Sequence, residues 1–358
     1  MILDAMNIPN DVFDYFKSIK PDKSWVSQEI ISQTIKDVRQ SIEVDSTEAE
    51  QALNSILLYS SDSKKNTQET YKLIKQLNNG EITFSTTSML IYSIKKFGFE
   101  AISDERYISA LLISGILADI KNDLHYHNDL HYKKVLLHII RMIDAHNNIF
   151  KGTSNILKKC DIAKLLISAC IHDLGHMGSG NIINREYHMA KTEKRSFDLA
   201  YPYLKATGID DDILSDIRIM IICTDASPFG DPISPINQVK SAYEYHFGMD
   251  SEAKIDLCDE LSILKGNDRL CLLSVMLHEA DIMNSAGVCY DITKEESVAI
   301  CKELGEDLAY PEDTLLFLEK ICGGGMLSDS ARFLADNIFS EIRSKVISDF
   351  KNGNKSYM

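Results

Sequence analysis

The sequence predicts an all-α protein, a multi-helix domain packed around one core, and three observations carry that prediction. Apolar residues recur at three- and four-residue steps through most of the chain. No stretch alternates polar and apolar residues over a useful strand length, and no repeat is evident. Only 7 prolines are spread over 358 residues, so long helices can run uninterrupted. With 44% hydrophobic residues the chain can bury a substantial core; its length allows two domains, or one large domain with an extension.

Taken in order, residues 11–20, 26–43 and 46–60 carry polar-rich amphipathic patterns, the first opened by Val12, Phe13, Tyr15 and Phe16. Ser46-Thr47-Glu48-Ala49-Glu50 reads as a helix start, with a hydroxyl cap and glutamate in the first turn. Residues 60–65 form a polar break, and Asn78-Asn79-Gly80 reads as a helix stop. That stop divides an N-terminal helical region, 1–80, from a main domain, 81–358. Beyond it apolar content rises, and helices are predicted near 86–97, 104–120, 129–149, 160–172, 189–206, 210–223, 237–248, 252–264, 268–284, 294–304, 312–322 and 328–351. Pro228, Gly230, Pro232 and Pro235 mark one loop and Gly323-Gly324-Gly325 a second. The glycine run lacks the lysine and hydroxyl residue of a phosphate-binding loop and reads as a flexible connection.

The 38 basic and 53 acidic residues leave a net charge of −15, which argues against a nucleic-acid polymer or an anionic membrane as the main partner. A small phosphate substrate stays compatible, because metal ions can supply positive charge locally. The eight cysteines form no C-x-x-C pair; Cys170, Cys223 and Cys271 sit in apolar helical patterns and read as reduced thiols. No basic region followed by an apolar stretch opens the chain, so no signal peptide is expected. The longest uncharged apolar run, Tyr107 to Ala118, is too short to span a bilayer. These features predict a soluble, cytoplasmic protein.

The chemistry lies in His172-Asp173-Leu174-Gly175-His176-Met177-Gly178-Ser179-Gly180-Asn181, at the end of the apolar run Ile162 to Ile171. A His-Asp pair alone is common and reads as a structural helix end. Here it stands between His127-Asn128-Asp129-Leu130-His131 and His278-Glu279-Ala280-Asp281-Ile282-Met283-Asn284. Asp281 shares a helix stripe with Leu270, Leu273, Leu277 and Asn284. A carboxylate there costs on the order of several kcal/mol unless paired or metal-bound. Histidine and carboxylate suit zinc or another divalent first-row metal, so His131, His172, Asp173 and Asp281 are expected to hold one ion. A second ion, Mg²⁺ or Mn²⁺, would share Asp173 and otherwise hold waters.

These motifs resemble the catalytic domain of class I cyclic nucleotide phosphodiesterases, within the His-Asp metal-hydrolase superfamily. The family's Tyr-His-Asn-x-x-His stands as Tyr126 to His131, its His-Asp-x-x-His-x-Gly-x-x-Asn as residues 172–181, its Thr-Asp as Thr224-Asp225, and its His-x-Ala-Asp-x-x-Asn as His278 to Asn284. Together they cover roughly residues 86–340. The resemblance implies an all-α fold and hydrolysis of 3′,5′-cyclic nucleotides, cAMP or cGMP, with zinc and magnesium or manganese. It also implies roles: His127 as general acid, His176 and Asn181 orienting ligands and waters, Asp225 holding a metal-bound water, Asn284 near the base, and Phe333 stacking on it. Read alone, Asp225 fits a helix or turn cap equally, and Phe333 a core aromatic. His125, His138, His146, His188 and His246 read as surface or packing residues, and Glu186 receives no role.

Four positions depart from the family pattern. Met177 replaces proline, Tyr132 and Lys134 replace alanine and aspartate, and Ser330 stands where the base-clamping glutamine belongs. A serine cannot offer an amide's paired donor and acceptor. Two other readings therefore stay open. One is a different His-Asp phosphohydrolase, although only Arg185 and Lys191 lie near the central motif to meet extra phosphates. The other is a non-catalytic, metal-stabilised protein that binds a protein partner through its N-terminal helices. Those helices could also support a homodimer.

Overall fold

The computed structural model describes residues 49–55, 62–100, 104–178, 180–248, 255–353 and 356–357. The predicted segments 11–20 and 26–43 lie outside these. Residues 49–55 are helical, and Ala49 and Leu53 are fully buried. Helix α1 (Ser63–Asn78) starts inside the predicted polar break, because the Asp62 carboxylate accepts from the Lys64 and Lys65 amides. It stops at the predicted Asn-Asn-Gly, where Gly80 turns the chain at φ 67°. Leu73, Ile74 and Leu77 of α1 enter the main hydrophobic core.

Helices α2 (Thr86–Lys96), α3 (Glu105–Ala118), α4 (Asp129–Ile149), α5 (Lys159–Ile171), α6 (Lys191–Ala206), α7 (Asp211–Ile222) and α8 (Pro235–Phe247) follow. After them come α9 (Asp268–Ala286), α10 (Tyr290–Glu303), α11 (Pro311–Leu316) and α12 (Asp329–Lys351). The all-α prediction holds. Helix α9 is the hub, packing against α4, α5, α7, α8, α10 and α12. It is buried on every side, as its run of apolar and small residues requires.

Three local departures have physical reasons. The described part of the predicted helix 252–264 holds a 3₁₀ run, Asp259–Lys265, in which Leu261 and Leu264 are buried. Their spacing of three suits a 3.0-residue turn. The predicted helix 312–322 changes at Phe317 into a π turn, Phe317–Ile321. A small antiparallel hairpin, β1 (Ile182–Ile183) with β2 (Glu186–Tyr187), escaped prediction because each strand has only two residues. Its register pairs Ile182 with Tyr187 and Ile183 with Glu186. The turn places Asn184 and Arg185 at φ 52° and 69°, the left-handed conformations a tight hairpin needs. No described helix is long and apolar enough to cross a membrane, and all eight cysteines are free.

Candidate metal centre and active site

The side chains of interest sit where helices begin and end. Asn128 caps α4 by accepting from the Leu130 and His131 amides, which fixes His131 in the first helical turn. Helix α5 ends at Ile171, and His172 closes it with its amide on the Ser168 carbonyl. The chain then turns sharply through Gly175, at φ 68°. A Cβ there would lie 2.7 Å from Leu199 Cδ1, so the turn admits no side chain without a shift.

His131, His172, Asp173 and Asp281, from three stretches that span 150 positions of the chain, meet in one cluster, their ligand atoms all within 4.8 Å of one another. Asp173 Oδ2 lies 3.0 Å from His172 Nε2 and 3.4 Å from His131 Nε2. Asp281 Oδ1 lies 3.1 Å from His131 Nε2 and 3.5 Å from His172 Nε2. The His172 ring donates through Nδ1 to the Ala169 carbonyl at 3.1 Å, which aims Nε2 at the cluster. The two Nε2 atoms face each other at 3.3 Å, and His131 Nδ1 is buried without a hydrogen-bond partner.

Burial alone would push both imidazoles toward their neutral forms. The two carboxylates override it, raising His131 and raising His172 well above the usual histidine range. In return, against the upward push of burial, the imidazoles hold Asp173 and Asp281 below the usual carboxylate range. Two imidazole nitrogens, whose protons a cation would displace, and two carboxylate oxygens converge in one space and form a donor set that suits a divalent cation.

A second cluster adjoins the first. His127, His176 and Glu303 also bring their ligand atoms within 4.8 Å of one another. The rings of His127 and His176 stack at 3.9 Å, and His127 Nε2 lies 4.0 Å from Asp173 Oδ2. Glu303, the last residue of α10, bonds His127 Nδ1 and accepts from the Tyr126 and His127 amides at 2.8 and 3.0 Å. Burial raises the Glu303 carboxyl, but its bond with His127 prevails and holds it at about 2. Burial, reinforced by the charge of His127, lowers His176 to about 4.

The other predicted residues lie outside both clusters. Asp225 is buried, and its carboxylate accepts from the Tyr187 hydroxyl, the Ala190 amide and the Ser227 amide, at 2.8–2.9 Å. It thereby ties the hairpin, the start of α6 and the loop after α7 together. Asn181 donates to Glu193 and accepts from the Thr192 amide. Asn284, one turn past Asp281, is buried, its amide turned toward the His138 ring. Phe333 is half-buried against the core. Ser330 is fully buried, its hydroxyl 3.3 Å from that of Ser328, which donates to Glu279.

Two carboxylates that sequence reasoning passed over matter here. Glu303 gave no signal, because it meets His127 from 176 positions away. Glu193 did give one: it shares a buried stripe with Phe197, Ala200 and Leu204. Burial and then the charge of Asp225 push Glu193 up to about 8, and it also feels Asp173. Glu186 lies exposed on the hairpin, as does His188 beyond it.

No family model matches the sequence. A cGMP-specific 3′,5′-cyclic phosphodiesterase gamma of Plasmodium yoelii is 36% identical over 78 residues, which are 21% of this chain and 9% of that protein. The phosphodiesterase domain of the RhoPDE fusion protein from the choanoflagellate Salpingoeca rosetta superposes with a TM-score of 0.54 at 17% identity. The alignment covers 75% of this chain and 92% of that domain. The chain has the fold of that phosphodiesterase domain.

Proposed function

We propose that this fold carries a 3′,5′-cyclic nucleotide phosphodiesterase, which opens cAMP or cGMP to the 5′-monophosphate. The observation that carries the proposal is the adjacency of two clusters: a buried His131–His172–Asp173–Asp281 set and, 4.0 Å from it, a histidine with its own carboxylate partner. A merely structural metal site has no need of the second cluster.

The four residues of the first cluster would hold the tightly bound ion, zinc by its ligand types. A magnesium or manganese ion would share Asp173 and otherwise hold waters. Divalent ions bound there supply positive charge to the phosphodiester and make water acidic enough to attack near neutral pH. The chain itself positions and protonates. As the bond from phosphorus to the 3′ oxygen breaks, that oxygen takes a proton from His127 Nε2, while Glu303 holds Nδ1 and fixes the ring. His176 stacks on the same ring and confines its tilt. Asp225 and Asn181 anchor the hairpin and the start of α6, and Asp225 would hold a metal-bound water. Following the resemblance, Asn284 would stand near the base and Phe333 would stack on its face. The eight free thiols fit a reducing compartment, so the proposal places the enzyme in the cytoplasm.

Ser330 favours a second reading, a metal-dependent hydrolase of another phosphodiester, since its hydroxyl is already engaged near Ser328. The test is incubation with Zn²⁺ and Mg²⁺ or Mn²⁺ and either cAMP, cGMP or bis(p-nitrophenyl) phosphate, with products separated by chromatography. A 5′-monophosphate product supports the proposal. Turnover of the aryl ester alone selects the second reading. No turnover with metal bound makes the protein non-catalytic.

A further inference from the structure

The departure at residue 134 places a lysine in the interior, 6% exposed, three positions after His131. An unpaired ammonium there would be strongly unfavourable, so the site demands a carboxylate. Glu296 supplies it: Lys134 Nζ donates to Glu296 Oε1 at 2.7 Å, and Glu296 is equally buried. Glu296 lies on α10 seven residues before Glu303, so the two glutamates share one face of that helix, two turns apart. That face therefore reaches the His127 region at two points. Glu303 holds His127 and its backbone, and Glu296 is tied to the first turns of α4, which also carry His131. Between them lies Tyr126, whose ring packs 4.8 Å from that of His127 and 4.9 Å from that of His131.

We propose that Lys134 and Glu296 are positioning residues: their buried ion pair clamps α10 to α4 and so sets Glu303 against His127. The inference rests on the reading of His127 as the proton donor. Its consequence depends on the leaving group. The 3′ alkoxide of a cyclic nucleotide needs a proton as it departs, whereas p-nitrophenolate leaves as a stable anion. A fault in the clamp therefore slows the first reaction and spares the second.

The experiment compares Lys134→Met, Glu296→Gln and the swapped pair Lys134→Glu/Glu296→Lys with the wild-type protein. Metal content, kcat and KM are measured for the cyclic nucleotide and for bis(p-nitrophenyl) phosphate. Each single variant should lose roughly ten- to a hundredfold in kcat on the cyclic nucleotide, part of what general acid catalysis supplies. Its KM, its metal content and its aryl ester turnover should hold within about twofold, the scatter of context effects. The swapped pair should recover most of the loss. Equal losses on both substrates, falling metal content, or no recovery in the swap would overturn the proposal. Where a single variant fails to fold, Glu296→Asp, which keeps the charge but shortens the reach, takes its place with the same expectation. The ¹⁵N-histidine NMR spectrum gives a readout independent of turnover. The His127 Nδ1 proton, held by Glu303 in the wild type, should lose its hydrogen-bonded shift in the single variants; an unchanged resonance also overturns the clamp. A wild-type protein that hydrolyses no diester refutes the proposed function, and the NMR comparison still decides the clamp.

Discussion

Replacing Glu303 with glutamine tests the proton donation proposed for His127 apart from the metal. The carboxylate meets three donors: the amides of Tyr126 and His127 and the ring Nδ1 of His127. Glutamine has a similar shape but only one acceptor oxygen, so it can keep the backbone donors only by turning its NH₂ toward His127 Nδ1. The ring then loses a charge-assisted bond and the negative charge beside it. Such bonds contribute about 1.5–3 kcal/mol. At about 1.4 kcal/mol per tenfold, kcat on a cyclic nucleotide should fall roughly ten- to a hundredfold. Removing His127 itself should cost more, up to the ~10²–10⁴ of a whole general acid. Steady-state kinetics on the cyclic nucleotide and on bis(p-nitrophenyl) phosphate, with metal content measured in parallel, is the assay. Equal losses on both substrates would show that Glu303 supports the architecture rather than the proton donor, and an unchanged kcat would remove His127 from that role.

Four further outcomes follow from the same geometry. Asp281→Ala removes one of two carboxylates in the cluster and should abolish both tight metal binding and turnover; full occupancy by elemental analysis would refute its role as ligand. Tyr132→Phe deprives the buried Asp173 carbonyl of the hydroxyl that bonds it at 2.6 Å, which should cost about 1–3 kcal/mol of stability in urea titration. The same change should weaken metal affinity by roughly ten- to a hundredfold, and unchanged affinity would show that the contact does not orient Asp173. Asp119, whose carboxyl is raised chiefly by burial, bonds the Thr86 and Thr87 amides at the start of α2. A raised folded-state pKa means that its stabilising contribution is complete in acid and declines as pH rises through that pKa. The stability gap between wild type and Asp119→Asn should therefore narrow from pH 4 to pH 7, and a gap that widens would reverse the assignment. With Ser330 unable to present an amide, cAMP and cGMP should differ in kcat/KM by less than about tenfold, one amide pair's worth. A hundredfold preference would mean that another residue reads the base.

Much of this was legible in the chain because its signals are local. The predicted helices 129–149 and 328–351 agree with α4 and α12 to within one residue, because the apolar runs that mark them are closed at their starts by the side-chain caps of Asn128 and Ser328. The apolar stripe around Asp281 marks that carboxylate as out of place without a partner, and the structure supplies two imidazoles. Glu303 and the Lys134–Glu296 pair were hidden for the opposite reason. Each is an ordinary charged residue in an amphipathic helix, and only the packing of α10 near α4 makes it unusual. Asn284 and Ser330 were recognised by position, yet their surroundings, a histidine ring in one case and a helix cap in the other, depend on contacts more than a hundred residues away or on the local course of the chain.

The origin of the two clusters explains why their functions should separate by mutation. The first is drawn from α4, α9 and the turn after α5, elements packed together in the centre of the molecule. Its geometry is therefore bound to the stability of the core, and changes there should remove metal and fold integrity together. The second depends on α10, whose last residue reaches His127 and whose interior is tied to α4 by the Lys134–Glu296 pair. Small displacements of α10 can alter His127, the proposed proton donor, while His131, His172, Asp173 and Asp281 keep their places. Tyr132 and Lys134, the two departures next to His131, fall one on each side of this division. The hydroxyl of Tyr132 steadies Asp173, and the ammonium of Lys134 steadies the helix that carries Glu303. The chain thus keeps the histidines and carboxylates of the motif it resembles while holding them with different supports, and a charge reversed at 134 is answered by a carboxylate at 296.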